Sequence, residues 1–295
     1  MFVSAIEEVS KFTRPIHFVT RNYKNNTGTA GTATMFFVNE LGVAITCKHV
    51  TDILGKVKPV KDQYVQFLKE RNSIAKTRQF DRHLKELELK YQFTNDITVD
   101  IIAVLMEVTS EPFINYRWID HPTFDLSILV LDNFKGPLYS SYAYFAKESS
   151  QLKQGKFLCR LGYPFPEFTN FEFDPAGEEL KWKTTGVKTT PRFPIEGMLT
   201  RHVSIQGRIA AVELSTPGLR GQSGGPLFDK EATIYGMQVS TNHLHLGFDM
   251  KNHEIVSNGR KFKVDNQPFL HVGHCLHVDV IKEFLRQHNI KFYER

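Results

Sequence analysis

Residues 221–228, which read GQSGGPLF, are the most informative stretch of this 295-residue chain. A serine hydroxyl is a weak nucleophile until a tight turn exposes it and a neighbouring base takes its proton. The glycines around Ser223 permit such a turn and let another chain approach closely. The backbone amides of Gly221 and Ser223 could then stabilise an oxyanion at that point. The same letters also occur in ordinary glycine-rich turns, so this segment alone leaves both interpretations open.

A candidate base comes from the segment GVAITCKHV at residues 42–50. Its apolar part predicts a strand that ends at Thr46, and His49 follows the strand, where a side chain can point into a cleft. The chain has 12 histidines, and a single histidine is usually structural. His49 differs from the others because residues 31–42 predict a hairpin that delivers it to a fixed place.

A candidate carboxylate is Asp125, which heads the apolar run LSILVL at residues 126–131. Burying a carboxylate beside such a strand is costly unless a hydrogen-bond donor receives it. A histidine ring N–H is a suitable donor, and the carboxylate then fixes the tautomer of that ring. Asp100 heads a similar run and competes for this role. We prefer Asp125 because a short segment suited to a loop, residues 118–122, precedes it.

In this order the three segments resemble the trypsin-like, chymotrypsin-fold serine peptidases, and most closely their bacterial, HtrA-like and intracellular branches. GQSGGP resembles the nucleophile motif of the family and TCKHV, residues 46–50, its histidine motif. KFLCRLGYP, residues 156–164, resembles the strand that begins its second barrel. The resemblance covers about residues 16–288. It implies an all-β fold of two six-stranded barrels with the active site in the cleft between them.

The resemblance also implies a role for each candidate. Ser223 would be the nucleophile, His49 the general base and acid, and Asp125 the group that orients the imidazole. The amides of Gly221 and Ser223 would form the oxyanion hole. The expected activity is endopeptidase cleavage of a protein or peptide substrate without a cofactor. A catalytically silent peptidase fold that acts as a binding module is the alternative.

The specificity pocket of the family would be lined by the strand at residues 236–241. Two of its side chains are candidates for the pocket wall, Gln238 and Ser240. Members that cleave after arginine or lysine carry an acidic residue six positions before the serine, where this chain has Pro217. A negative charge for a basic substrate would therefore have to come from elsewhere, from Glu213 or Asp249.

Two further departures from the family concern activation. Secreted members place an aspartate just before the serine, and it receives the new N-terminus after zymogen cleavage. Gln222 stands there in this chain, so we expect an enzyme that is constitutive or gated by a regulatory protein partner. No sequence suggestive of a PDZ domain follows the peptidase part.

The resemblance predicts a single peptidase domain over residues 1–295. An N-terminal barrel is expected at about 16–135 with an insertion at about 66–96. A C-terminal barrel follows at about 150–272, and a closing helix at about 278–288. Residues 162–200, rich in proline and aromatic side chains, are expected to form long ordered loops.

The insertion is expected to be helical and charged. Within residues 69–90 it has seven lysines and arginines against four acidic residues. Four apolar side chains at helical spacing predict one buried face: Phe80, Leu84, Leu87 and Tyr91. A solvated helix on the barrel surface is the favoured interpretation, and an arm that docks on a partner or nucleic acid is the alternative.

Composition excludes several classes of protein. A chain that is 41% hydrophobic and 23% charged is typical of a globular protein and excludes a disordered or collagen-like one. The net charge of +5 is small for a dedicated nucleic-acid binder. We therefore do not expect nucleic acid as the partner.

Cysteine usage and hydropathy indicate a compartment. Cys47, Cys159 and Cys275 make neither a C-x-x-C pair nor an even disulfide framework, which fits a reducing compartment. The N-terminus lacks the apolar stretch of a secretory signal, and no run of about 20 apolar residues predicts a membrane span. We expect a cytoplasmic protein.

A metal site is the remaining alternative. Imidazole and thiolate groups that suit zinc crowd together near the C-terminus, at His271, His274, Cys275 and His277. In an extended strand His274 points away from the other three. We therefore expect no metal at these residues.

Overall fold

The structure is a computed structural model that describes residues 2–108, 115–132, 134, 138–205 and 207–295. The chain is predominantly β, with 42% strand and 21% helix, as the sequence predicts. Among the described residues, no helix is both long enough and apolar enough to cross a lipid bilayer.

Turn residues separate the strands, as the breaks between the apolar runs predict, and the strands range from 2 to 13 residues in length. They are β1 (Thr13–Asn22), β2 (Thr29–Phe37), β3 (Val43–Thr46), β4 (Thr98–Leu105), β5 (Tyr116–Asp120), β6 (Ser127–Leu131), β7 (Tyr144–Phe145), β8 (Phe157–Gly162), β9 (Phe171–Asp174), β10 (Glu179–Trp182), β11 (Phe193–Ile205), β12 (Arg208–Leu214), β13 (Pro226–Phe228), β14 (Thr233–His245), β15 (Met250–Ser257), β16 (Arg260–Asn266), β17 (Phe269–His277) and β18 (Tyr293–Glu294). The helices are α1 (Val3–Ser10), α2 (Lys48–Ser73), α3 (Phe80–Tyr91) and α4 (Val278–Gln287), with a short 3₁₀ turn at Ser149–Gln151.

The first sheet has six antiparallel strands in the order β4-β1-β2-β3-β6-β5. The pairing of β3 with β6 sets Thr46 opposite Ser127. In the described residues β4 and β5 form the two edges of this sheet and do not pair with each other. The sheet curls without joining these edges.

The second sheet has the order β13-β8-β11-β12-β17-β14-β7-β18. Because β13 pairs with β8 on one side and with β14 on the other, this sheet curls back on itself. The first sheet, in contrast, stays open between β4 and β5 over the described ranges. The expected pair of closed barrels is therefore not established, and the structure contains two curled sheets.

One hydrophobic core joins the two sheets. It takes Phe36 and Ile45 from the first sheet, Phe228 and Met237 from the second, and Phe284 from α4, all of them buried. A smaller apolar cluster lies within the second sheet. Since burial of this kind is the main stabilising contribution to a fold, the shared core holds the sheets in a fixed relation, and loops at their junction are positioned by both.

The helical insertion differs from its prediction. The charged stretch 69–90 is not one helix, because α2 begins as early as Lys48, passes through Pro59 and ends at Ser73, and α3 follows after a break. Three of the four predicted apolar side chains of α3 belong to a separate, largely aromatic cluster that also contains Phe67 and Tyr23; these three are Leu84, Leu87 and Tyr91. The helices α2 and α3 therefore pack around an apolar cluster that is separate from the main core.

One other expectation about elements is wrong. The segment 162–200 is not all loop, because β9 and β10 form a hairpin within it and β11 begins in it. Proline and glycine signals around these strands obscured alternating apolar residues such as Phe171 and Phe173.

Candidate active site

His49 and Asp125 meet because β3 and β6 are neighbours. With Thr46 opposite Ser127, the residues just after β3 and just before β6 lie at the same end of the sheet. The Nδ1 atom of His49 lies 2.6 Å from Asp125 Oδ2, and the backbone amide of His49 donates to Asp125 Oδ1 at 2.9 Å. Both carboxylate oxygens are therefore committed to the same residue.

The electrostatics of this pair favour an ionised carboxylate. Burial raises the pKa of Asp125, but the hydrogen bonds from the side chain and backbone of His49 outweigh burial and leave the pKa below its ordinary value. An ionised carboxylate only accepts, so Nδ1 of His49 carries the hydrogen and Nε2 is left as an acceptor. The His49 side chain is 48% exposed, so this nitrogen is within reach of a ligand.

The competing carboxylate, Asp100, is in a different place. It lies in β4, which is separated from β3 by two strands, and it is 3% exposed. Its Oδ2 accepts from the backbone amide of Leu180 at 2.5 Å. Asp100 therefore anchors β10 and does not approach His49.

The loop that carries Ser223 is fastened to the first sheet. The amide of Thr34 donates to Ser223 O at 2.9 Å, and the Thr34 hydroxyl donates to Gly221 O at 2.7 Å. A Cβ atom at Gly224 would lie 2.1 Å from Thr34 O and 2.5 Å from Thr46 Oγ1. Only glycine fits there, so the sequence pattern around the serine has a steric reason.

A shared acceptor brings the serine loop to the segment that precedes His49. The amide of Gly224 donates to Gln238 O at 2.9 Å, and the Cys47 thiol donates to the same oxygen at 3.4 Å. These donors are one residue after Ser223 and two residues before His49. The Ser223 hydroxyl itself donates to Val239 O at 3.3 Å and not to the imidazole of His49.

The predicted oxyanion amides are unoccupied by protein acceptors. Within the described chain, the amides of Gly221 and Ser223 make no hydrogen bond, whereas Gln222 N donates to Leu219 O and Gly225 N donates to Gln222 O. Gly221 has a φ of +91°, in the left-handed region that favours glycine. The turn leaves both amides available for a ligand oxygen.

Gln222 stabilises this turn in place of an ion pair. Its side chain is fully buried, and its amide Nε2 donates to Phe193 O at 3.0 Å. Its Oε1 accepts from Leu219 N at 3.0 Å. The position at which secreted peptidases carry an aspartate is thus held by neutral hydrogen bonds within the chain.

A cavity of about 480 Å³ lies beside Ser223. Its lining includes both predicted wall residues, Gln238 and Ser240. The two acids considered as a source of negative charge are committed elsewhere: Glu213 pairs with Arg201, and Asp249 lies 2.8 Å from His245. Neither lines the cavity.

One group of potential metal ligands occurs among the described residues, and it overlaps the site. Ligand atoms of Cys47, His49 and Asp125 lie within 4.8 Å of one another. Burial raises the pKa of the Cys47 thiol well above its ordinary value, and zinc binds the thiolate. The protonated thiol donates to a carbonyl, so this group fits the proton chemistry of a base better than a metal.

The C-terminal histidines and cysteine have separate surroundings. His271 Nδ1 lies 2.5 Å from His243 Nδ1, and the Cys275 thiol donates to Gln238 Oε1 at 3.4 Å. His277 is the N-cap of α4, where its ring accepts from the amide of Asp279. His274 is partly buried, and burial lowers its pKa while Glu213 raises it.

Sequence reasoning missed Arg160, a fully buried residue of β8. Its guanidinium donates to Gln238 Oε1 at 2.8 Å, directly behind the cavity wall. A signal was present, because Arg160 interrupts the apolar run FLCRLG, and a charge inside a buried strand requires a partner.

No protein-family model matches the chain, and no match was found among curated proteins.

Proposed function

We propose that this protein is a serine endopeptidase with a chymotrypsin-like double β-barrel fold, and that it hydrolyses peptide bonds through an acyl-enzyme on Ser223. The observation that carries the proposal is the doubly hydrogen-bonded His49–Asp125 pair, beside which the Ser223 loop is fastened. A carboxylate that holds one imidazole nitrogen leaves the other free to accept a proton.

The proposed reaction uses groups of this chain alone. Ser223 Oγ attacks the scissile carbonyl, its proton passes to His49 Nε2, and the amides of Gly221 and Ser223 receive the developing oxyanion. The C–N bond breaks as His49 returns the proton to the leaving amine. Water then repeats the sequence on the acyl-enzyme and releases the acid. Asp125 stays ionised and stabilises the imidazolium.

The hydroxyl of Ser223 must turn before it can react. It donates to Val239 O over 3.3 Å, which is long for a hydroxyl donor. Rotation about one side-chain bond exchanges this weak hydrogen bond for another acceptor at little cost. Catalytic hydrogen bonds are often loose without substrate and tighten in the complex. The observed position is compatible with attack after a substrate binds.

Covalent labelling tests the proposal. A fluorophosphonate reacts with an activated serine irrespective of the preferred peptide, so the folded protein should be labelled at Ser223. Ser223→Ala should abolish the label and His49→Ala should slow it by about a thousandfold or more. Ser10→Ala is the matched control, because Ser10 is a serine on α1 whose hydroxyl donates to Glu7 O. A folded parent that takes no label would contradict the proposal.

A binding role through the charged insertion is less well supported. Arg71 pairs with Glu178, Arg82 pairs with Glu86, and Lys90 pairs with Glu70. Charges that are already paired contribute less to a field that attracts nucleic acid.

The free cysteine thiols, all buried, fit the cytoplasmic location that we propose for the enzyme.

A further inference from the structure

The cavity beside Ser223 has a cationic lining. Three of its residues are basic or can become so: Arg220, His243 and His271. All three are exposed, and among the described residues no aspartate or glutamate belongs to the lining. A ligand group that enters beside Ser223 therefore meets positive charge and no carboxylate.

A buried guanidinium adds to this field from behind the wall. Arg160 is fully buried, and its Nη2 donates to Thr216 O at 3.0 Å, to Thr216 Oγ1 at 2.6 Å and to Pro217 O at 3.2 Å. Its partners are neutral oxygens, and its buried Nε has none. Burial lowers the pKa of Arg160, but a guanidinium stays charged in proteins. The charge is thus solvated by carbonyls and balanced by no acid among its hydrogen-bond partners.

This guanidinium also orients the side-chain amide of Gln238. Gln238 Oε1 accepts from Arg160 Nη1 at 2.8 Å and from the Cys275 thiol at 3.4 Å. The oxygen is therefore turned toward the core. The amide Nε2 donates to Ser240 O at 2.6 Å, and its second hydrogen has no acceptor among the described residues. Gln238 belongs to the cavity wall, where its oxygen already accepts two hydrogen bonds and its nitrogen keeps one N–H to donate.

The two histidines are arranged to share a proton. Their Nδ1 atoms are 2.5 Å apart, so one ring donates and the accepting ring is neutral at that nitrogen. In the described structure the Nε2 atoms of both rings have no protein partner.

From these contacts we infer that the cavity beside Ser223 binds a carboxylate side chain, so that the proposed peptidase cleaves after glutamate or aspartate. The inference rests on the proposed function for the cleavage step, but the carboxylate site itself does not need catalysis. A carboxylate is bound by positive charge and by hydrogen-bond donors. The cavity offers basic side chains at its mouth and an amide donor in its wall. An arginine or lysine side chain would meet like charge there, which is unfavourable.

Binding to the inactive Ser223→Ala protein tests the inference without turnover. The probes are fluorescent acetylated peptides of one sequence that place glutamate, glutamine or lysine before the scissile bond. The glutamate peptide should bind roughly tenfold or more tightly than the glutamine peptide, because the difference is a charge-assisted hydrogen bond. Equal affinity for glutamate and glutamine, or tighter binding of lysine, would overturn the inference.

Charge variants of the same protein locate the site. Arg220→Glu combined with His243→Gln should remove the preference for glutamate and improve binding of the lysine peptide. The matched control is Arg82→Glu combined with His253→Gln, which makes the same changes on α3 and β15, away from the cavity. If the control variant loses the preference as well, the cavity is not the carboxylate site.

Labelling and binding separate the two proposals. Fluorophosphonate labelling of Ser223 together with tighter binding of the lysine peptide would leave the peptidase standing and overturn the acidic preference. Selective binding of the glutamate peptide by a parent protein that is never labelled would leave the carboxylate site standing and overturn the peptidase.

Discussion

The backbone amide of Thr34 donates a 2.9 Å hydrogen bond to the carbonyl oxygen of Ser223, and it fastens a loop of the second sheet to a strand of the first. The Thr34 hydroxyl adds a second link through Gly221 O. Thr34 therefore places the candidate nucleophile at the sheet end that carries His49. The position of Ser223 relative to His49 therefore depends on contacts between the first and the second sheet.

Thr34→Val tests this link. The substitution keeps the shape of the side chain, but it leaves Gly221 O without its donor at a buried position, which should cost about 1–3 kcal/mol in the free energy of unfolding. Fluorophosphonate labelling of Ser223 should slow, because the turn that presents the hydroxyl loosens. Urea unfolding and the labelling rate are the measurements. A variant that loses stability but is labelled at the parental rate would show that Thr34 does not position the loop.

Gly224→Ala tests the steric requirement of the serine loop. Gly224 and Gly155 both have positive φ, +86° and +91°, so an alanine at either should cost about 1–2 kcal/mol from backbone strain. Only at Gly224 would the new Cβ collide, at 2.1 Å from Thr34 O, whereas at Gly155 it meets nothing within 4 Å. Overpacking should add about 1–3 kcal/mol.

The comparison with Gly155→Ala isolates the contact between the sheets. Thermal or urea unfolding should rank Gly224→Ala well below Gly155→Ala in stability, and labelling should be impaired only in Gly224→Ala. Equal losses of stability in the two variants would mean that the loop does not press against Thr34 as the structure shows.

Asp125→Asn tests the electrostatics of the pair through pH. Burial raises the pKa of Asp125, but hydrogen bonds from His49 leave it below the ordinary value of 3.8. The folded protein therefore binds this proton less readily than the unfolded chain does. The stabilisation from Asp125 is complete above the unfolded pKa and is lost as the pH falls through the folded one.

The expected result is a stability difference that depends on pH. At pH 7 Asp125→Asn should unfold at a lower urea concentration than the parent. This difference in stability should become smaller as the pH falls below the ordinary pKa of 3.8. Asp62→Asn, a change on the exposed surface of α2, is the control and should show no such difference. A difference for Asp125→Asn that stays constant from pH 7 to pH 3 would contradict the assigned pKa.

The meeting of His49 and Asp125 was predictable from the sequence because it depends on neighbouring strands. Both residues adjoin strongly apolar runs, 43–46 and 127–131, and pairing of these runs is enough to bring the side chains together. The requirement for glycine at Gly224 was visible in the same way. Such features follow from local pattern and from one pair of strands.

The charge of the cavity was not predictable, because it is assembled from distant segments. Arg160 comes from β8 and His271 from β17, and their positions depend on how the second sheet curls. The length of α2 was missed for a related reason. This helix contains Pro59 and many charges, and its apolar face packs on Tyr23, which follows β1, and on Phe93, which follows α3.

The proposed peptidase activity is tested most directly by the site of fluorophosphonate labelling, read by mass spectrometry on the folded parent and on His49→Ala. We expect a label on Ser223 of the parent and a labelling rate lower by about a thousandfold or more in His49→Ala. A folded parent that remains unlabelled, or a Ser223 that is labelled equally fast without His49, would contradict the proposal.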